Sequence, residues 1–149
     1  MPDLSLSLAS LIVDKALERG RALGLAPLTV VVLDRGGHLK AAKREDGSSL
    51  LRPEIAMGKA WAVLGMGFGG RELARRAARA PQFFAALTEL ADGRMVAAAG
   101  GVLIRSAAGE IVGAVGISGD VSEKDEECAL HGIAAAGLIA DTGGEEPSR

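Results

Sequence analysis

Gly100 to Asp120, GGVLIRSAAGEIVGAVGISGD, places two apolar runs on either side of a short turn at Ser106 to Glu110. Runs of this length joined by a turn predict two adjacent antiparallel strands, and their nearly continuous apolar character predicts the centre of a sheet. Along the second run Ile111, Val115 and Ile117 alternate with Val112, Ala114 and Gly116, so one face is bulky and the other shallow. Gly113 thins the bulky face. Glycine inside a strand is tolerated where another backbone or a ligand comes close, which makes the shallow face the first candidate for close helix packing or a pocket.

The flanking segments supply layers for such a sheet. Leu4, Leu8, Leu11, Ile12, Ala16 and Leu23 recur at helical spacing between Leu4 and Leu23, with Gly24 as the expected stop. The run from Leu28 to Asp34, LTVVVLD, predicts a strand covered on both faces. Gly36-Gly37 then turns the chain, because a tight hairpin needs the positive φ that glycine adopts readily. The returning strand, His38 to Arg44, carries Lys40, Lys43 and Arg44, which suit a sheet edge. After Glu45-Asp46-Gly47, Ser48 or Ser49 is a candidate cap, and Pro53 suits the first turn of a helix running to about Leu64. Pro81 opens a helical segment to Leu90, and Arg94 to Ala99 is expected as a short outer strand. Ser122 and Asp125 form an S-x-x-D capping pattern at the head of a last helix. Its body, CALHGIAAAGLIA, is so poor in bulk that something must approach it closely: the shallow strand face, or another subunit.

With 149 residues, 48% of them hydrophobic and 24% charged, a single domain spanning 1–149 is expected, with 142–149 as a frayed tail. A net charge of -2, three Phe, one Trp and no Tyr argue against a nucleic-acid partner, which would call for a basic face or stacking aromatics. Cys128, the only cysteine, cannot form an internal disulfide, and the N-terminus lacks the basic segment of a signal peptide. A cytoplasmic protein with no membrane partner is the expectation.

Two further patterns are less specific. Gly65-Met66-Gly67-Phe68-Gly69-Gly70 matches G-x-G-x-x-G in spelling, but the dinucleotide fingerprint works only between a strand and a helix, whereas here it follows a helix. It is read as a helix-to-helix joint. Arg71, Arg75 and Arg79 share a helix face with Arg76 beside them, and are read as a solvated or interface face or as a carboxylate or phosphate site.

Taken in order, VVVLDRGGHLKAAKREDG, PEIAMGKAWAVLGMG and GGVLIRSAAGEIVGAVGISGDVSEKDEECALHGIAAAGL resemble the GlcG/HbpS-like family, the haem-degrading or haem-binding domain proteins related to the C-terminal domain of PduO. The likeness runs from about Leu4 to Leu138. It implies an α/β fold of the α+β kind, profilin-like, with a five-stranded antiparallel sheet flanked by helices and assembly into homo-oligomers. It also implies small-molecule binding, haem or a related tetrapyrrole first, and a role accessory to a catabolic pathway. The family's Asp-x-Gly-Gly-His hairpin falls on Asp34, Gly36, Gly37 and His38, its acidic turn on Asp46 and Gly47, its helix lysine on Lys59, and its last strand and helix entry on Gly116, Ser118, Gly119, Asp120 and Asp125. Where relatives often carry a serine ahead of the Lys59 helix, this chain has Arg52-Pro53, and arginine suits a carboxylate such as a haem propionate or an organic acid.

Three functions stay open on the residues. A haem reading needs an axial donor: His38 is the candidate metal ligand, with Arg52, Lys59, Gly116, Ser118 and Asp120 as ligand-binding residues, while His131 suits packing or a subunit contact and Cys128 a small buried apolar role. An enzyme reading makes Glu54 and Lys59 catalytic on a small organic acid or carbonyl compound, with Arg52 as anion clamp; the alternative for Lys59 is a structural pair with Asp34 or Asp46. The third reading is a structural homo-oligomer without pocket chemistry.

Overall fold

The computed structural model describes residues 3–144. In chain order the elements are α1 (Leu6–Ala22), β1 (Thr29–Asp34), β2 (Leu39–Arg44), α2 (Arg52–Met66), α3 (Gly70–Arg79), α4 (Pro81–Leu90), β3 (Gly101–Arg105), β4 (Ile111–Ser118), α5 (Ser122–Ala135) and β5 (Ile139–Asp141). The strands form one antiparallel sheet in the order β2-β1-β4-β3-β5. This is the α+β fold expected, with β4 at its centre and the charged β2 at an edge.

Alternation along the covered strands builds two cores. Val30 and Val32 of β1, Val102 and Ile104 of β3, and Val115 and Ile117 of β4 pack with α1 and α5. Val31, Leu33, Leu103 and Ala114 pack with α2 and α3 on the opposite face. Strict alternation along β4 fails at its start. Ile104 pairs with Gly113 but Arg105 pairs with Ile111, leaving Val112 as an extra residue in the ladder. Val112 therefore joins the α1/α5 core and Ile111 the α2 side, the reverse of the simple alternation.

The shallow strand face is taken by α2 and not by α5. A Cβ on Gly116 would lie 1.8 Å from the Ala56 carbonyl oxygen, so helix backbone rests directly on the strand. The last helix instead meets α1, where a Cβ on Gly132 would come within 2.5 Å of the Ile12 carbonyl oxygen. Both contacts need glycine for the same steric reason, and only three-dimensional placement tells which glycine serves which partner.

Several local expectations are revised. Segment 94–99 forms no strand: the Val96 N–H donates to the Gly58 carbonyl of α2 at 3.1 Å, and β5 takes the edge beside β3. Neither serine caps α2. The Ser48 hydroxyl is buried against that of Thr29 at 3.0 Å, and Ser49 contributes only its carbonyl, to the Arg52 N–H. Val121 occupies the N-cap position of α5 without a side-chain bond, and Asp125 instead accepts the Asp120 N–H at 3.0 Å. Thr142 to Gly144 is docked, not frayed, since the Arg71 N–H donates to the Thr142 carbonyl at 2.9 Å and the Arg75 guanidinium to that of Gly143. The remainder of the expected tail, 145–149, lies outside the described residues.

The glycine-rich joint behaves as read from its place after a helix. Gly67 ends α2 in the left-handed region at φ 77°, and a Cβ on Gly70 would lie 2.1 Å from the Ala98 carbonyl oxygen. Gly69 and Gly70 serve close packing, where a Cβ would lie 2.1 Å from the backbone of Thr142 and of Ala98. No helix among the described residues is long and apolar enough to cross a membrane.

Gly116→Ala is expected to lower stability by about 3 kcal/mol, because the clash is with backbone that cannot swing aside. Gly65→Ala, in α2 with nothing within 4 Å of the new Cβ, is expected to raise it by about 0.5–1 kcal/mol. Thermal unfolding monitored by circular dichroism checks both signs.

Candidate functional site

The residues singled out in the sequence fall at two ends of the sheet. Because β1 pairs Thr29 with Ser118 and Asp34 with Gly113, Ser118 lies beside the start of β1 and the Asp34–His38 turn at its finish. Five residue steps at about 3.3 Å each separate these ends by about 16 Å.

At the first end, the third turn of α2 carries Lys59 beneath the end of β4. Its ammonium donates to the Ile117 carbonyl at 2.9 Å and meets Asp125 Oδ2 at 3.4 Å, with only 6% of the lysine side chain and 1% of the aspartate exposed. Lys59 therefore pairs with Asp125, not with Asp34 or Asp46. Burial lowers the Lys59 pKa from its ordinary value, against the opposing pull of Asp125, and the Arg52 charge lowers it further. Burial likewise raises that of Asp125, against the Asp120 N–H and the Lys59 ammonium. Gly100, at φ 99°, leaves room for the ammonium, since a Cβ there would lie 2.9 Å from Nζ.

Around this pair, Arg52 donates to the buried Ser118 hydroxyl at 3.0 Å. Asp120 accepts the Ala26 N–H at 2.9 Å and the Val121 N–H at 2.8 Å, bonds that hold its carboxyl below the usual carboxylate range. Gly116 is covered by α2 backbone. Arg52, Lys59, Ser118 and Asp120 are thus neighbours whose bonds join α2, β4 and the entry of α5, while Gly116 sits under the helix.

At the other end the hairpin presents His38. Asp34 Oδ1 accepts the N–H groups of Gly36 at 2.9 Å and His38 at 3.0 Å. Burial pushes the Asp34 pKa up, but these two bonds and the His38 ring outweigh it and leave the carboxyl below its ordinary value. The same oxygen faces His38 Nδ1 at 3.4 Å, and the imidazole is 81% exposed. An Nδ1–H aimed at a carboxylate leaves the Nε2 lone pair pointing outward. Asp3, Leu4, Arg35 and Lys40 complete a cleft of about 270 Å³ around it. On the other side of the turn, Trp61 and Leu64 of α2 line a second hollow with Arg35 and Gly37.

Glu54 does not join Lys59. Five residues apart on a helix of 3.6 residues per turn, the two side chains diverge by about 140°. Glu54 is exposed on a cleft of about 330 Å³ with Pro53, Met57, Gly58, Gly93 and Arg94. The arginine-rich helix α3 is engaged internally: Arg71 binds the buried Glu126 at 2.9 Å, and Arg75 and Arg76 bind Glu72. His131 is exposed on α5. Cys128 is fully buried, and burial with the charges of Asp125 and Glu127 pushes its thiol up to about 11, which leaves it unreactive at neutral pH. Among the described residues no group of three or more His, Cys, Asp or Glu side chains converges as a metal site.

The family model described as haem degrading protein HbpS-like matches residues 4–134. The chain belongs to the HbpS-like family. No curated protein matches it. Among solved structures, PduOC in its heme complex is 27% identical, with a TM-score of 0.83 over 93% of this chain and 98% of that chain. A double mutant of HbpS from Streptomyces reticuli is 28% identical, with a TM-score of 0.78 over 90% of this chain and 87% of that chain. The ORFY protein of Klebsiella pneumoniae, 22% identical with a TM-score of 0.80 over 92% of this chain and 93% of that chain, shares the fold.

For this HbpS-like chain, sequence reasoning passed over Asp125 as the Lys59 partner and Arg35 and Lys40 as neighbours of His38. The latter two flank His38 in the hairpin, a signal that was available. Asp125 lies 66 residues from Lys59, and periodicity cannot reveal such a pair. The same holds for Arg94, which reaches α2 only through the irregular segment after α4.

Removing one partner of the buried pair strands the other, so Lys59→Met and Asp125→Asn are each expected to lose about 3–5 kcal/mol, and the double variant less than their sum. Denaturant unfolding in a double-mutant cycle checks this. Because the native Lys59 pKa is lowered, the unfolded chain binds more protons between that value and the ordinary lysine value. The Lys59 contribution therefore rises with pH across this alkaline window, and Lys59→Met removes that rise.

Proposed function

We propose that the chain binds a haem-type tetrapyrrole at the β1–β2 hairpin, with His38 as axial donor. The observation that carries the reading is the exposed imidazole turned by Asp34 so that Nε2 faces outward, an arrangement that metal-ligating histidines commonly require. The heme complex of PduOC, similar over nearly the whole chain, supports the ligand class.

The donor set fits the group. His38 offers the iron an imidazole nitrogen, and Lys40 in the same cleft offers a cation to a propionate, beside Arg35 in its ion pair with Asp3 at 3.3 Å. Trp61 and Leu64 supply apolar surface across the turn. Asp34, facing Nδ1 at 3.4 Å, fixes the orientation of the ring. A bound haem would supply iron redox chemistry; the chain supplies the donor, its orientation and the charges around it. Arg52 is bonded to Ser118 at the opposite end of β1, about 16 Å along the strand from the hairpin, and belongs to that polar network and not to this ligand within one chain. In this reading the protein is a cytoplasmic small-ligand binder, accessory to a catabolic pathway, and forms a homo-oligomer, for which the exposed Phe83 and Leu90 of α4 speak.

Titration of the tag-free protein with haemin is expected to give a saturable Soret shift at one haem per chain. His38→Ala should abolish it, Asp34→Asn should weaken it by about tenfold, and His131→Ala should leave it unchanged. A wild-type protein without a saturable shift, or a His38→Ala variant that binds normally, overturns the reading.

A further inference from the structure

The outer face of α2 carries a second cleft, distant in purpose from the hairpin. Glu54, Met57, Gly58 and Trp61 stand at i, i+3, i+4 and i+7, so they form one stripe on α2. Segment 94–96 is laid against that stripe: a Cβ on Gly58 would lie 2.8 Å from Val96 Cγ2 and 3.1 Å from the Arg94 carbonyl oxygen. The cleft that results, about 330 Å³, has Pro53, Met57 and Gly58 as its apolar floor and one acid and one base on its walls. That volume suits a small molecule.

The two charges are held differently and do not pair with each other. The Arg94 guanidinium lies over the Trp61 ring at 4.1 Å and is fixed by Nε donating to the Ala91 carbonyl at 2.9 Å. Its terminal nitrogens have no carboxylate within salt-bridge distance among the described residues. Glu54 stands in the first turn of α2, where the helix dipole favours an anion, and makes no hydrogen bond or ion pair among the described residues. A fixed cation, a free anion and an apolar floor are complementary to one kind of molecule.

We propose that this cleft binds a small zwitterion of the apolar α-amino acid class. Arg94 takes the carboxylate, Glu54 the ammonium, and Pro53 and Met57 the aliphatic side chain. A simple carboxylate would leave Glu54 facing the ligand unpaired, and a simple amine would do the same to Arg94, so the site discriminates by charge pattern.

Trp61 reports on the site because it is the only tryptophan, the chain has no tyrosine, and its ring carries Arg94. Haem-free protein titrated with L-leucine is expected to show a saturable change in Trp61 emission and a matching isotherm by calorimetry. The binding should be about tenfold or more tighter than for 4-methylpentanoate or 3-methylbutylamine. Glu54→Gln should weaken leucine by about tenfold while tightening 4-methylpentanoate, whose carboxylate then faces no unpaired charge, and Arg94→Met should abolish leucine binding in calorimetry with the circular dichroism spectrum intact. Absence of a saturable response by both methods overturns the proposal, as does equal affinity for leucine and 4-methylpentanoate, or a leucine isotherm that survives both substitutions. His38→Ala should bind leucine like the parent protein, which separates a failure here from a failure of the tetrapyrrole reading.

Discussion

The direct seating of α2 backbone on the centre of the sheet is the contact on which the rest of the molecule depends. Ala56, Ala60, Ala114 and Gly116 keep side-chain bulk out of the interface, and Gly101 lets the Lys59 carbonyl approach β3, where a Cβ would lie 2.6 Å away. Dispersion contacts fall off steeply with separation, so an interface this close is rigid in rotation as well as in distance. That rigidity fixes where each face of α2 points. Lys59 is directed beneath the end of β4, while Glu54, Met57 and Trp61 are left on the outer side to form clefts.

Burying Lys59 creates an obligation that the surrounding structure meets. The ammonium has a carbonyl and a carboxylate as partners, and the carboxylate is in turn held by the Asp120 N–H. Asp120 then pins the loop before β1 through Ala26. A chain of polar contacts thus ties α2, β4, α5 and the α1–β1 connection together at one end of the sheet, and its members are occupied by the fold. The opposite end carries no such burden. There Asp34 accepts the N–H groups of the turn itself, which leaves the His38 imidazole oriented and in solvent.

Elements whose partners are local in sequence were readable. The Gly36-Gly37 hairpin, the charged edge strand, the central pair around Ser106 to Glu110 and the rejection of the glycine-rich joint as a nucleotide site all rest on turn chemistry and short-range pattern. What failed depended on competition between distant partners. The small residues of α5 announced a close approach but not whether β4 or α1 would make it. Asp125 fits a capping pattern with Ser122, yet the Asp120 N–H and the Lys59 ammonium lie within its reach and take both carboxylate oxygens. The arginines of α3 left a solvated or interface face and an anion site both open until Glu126 from α5 and Glu72 from their own helix were brought against them.

By itself the sequence determined the fold class, the hairpin that carries His38 and the family, because apolar periodicity, glycine turns and ordered motif blocks are properties of contiguous residues. The tertiary structure alone decided which helix lies on the shallow face, which carboxylate neutralises Lys59 and which charges remain for a ligand. Each of those outcomes is a contest among groups far apart in the chain, settled by the distances at which backbones and buried charges can meet.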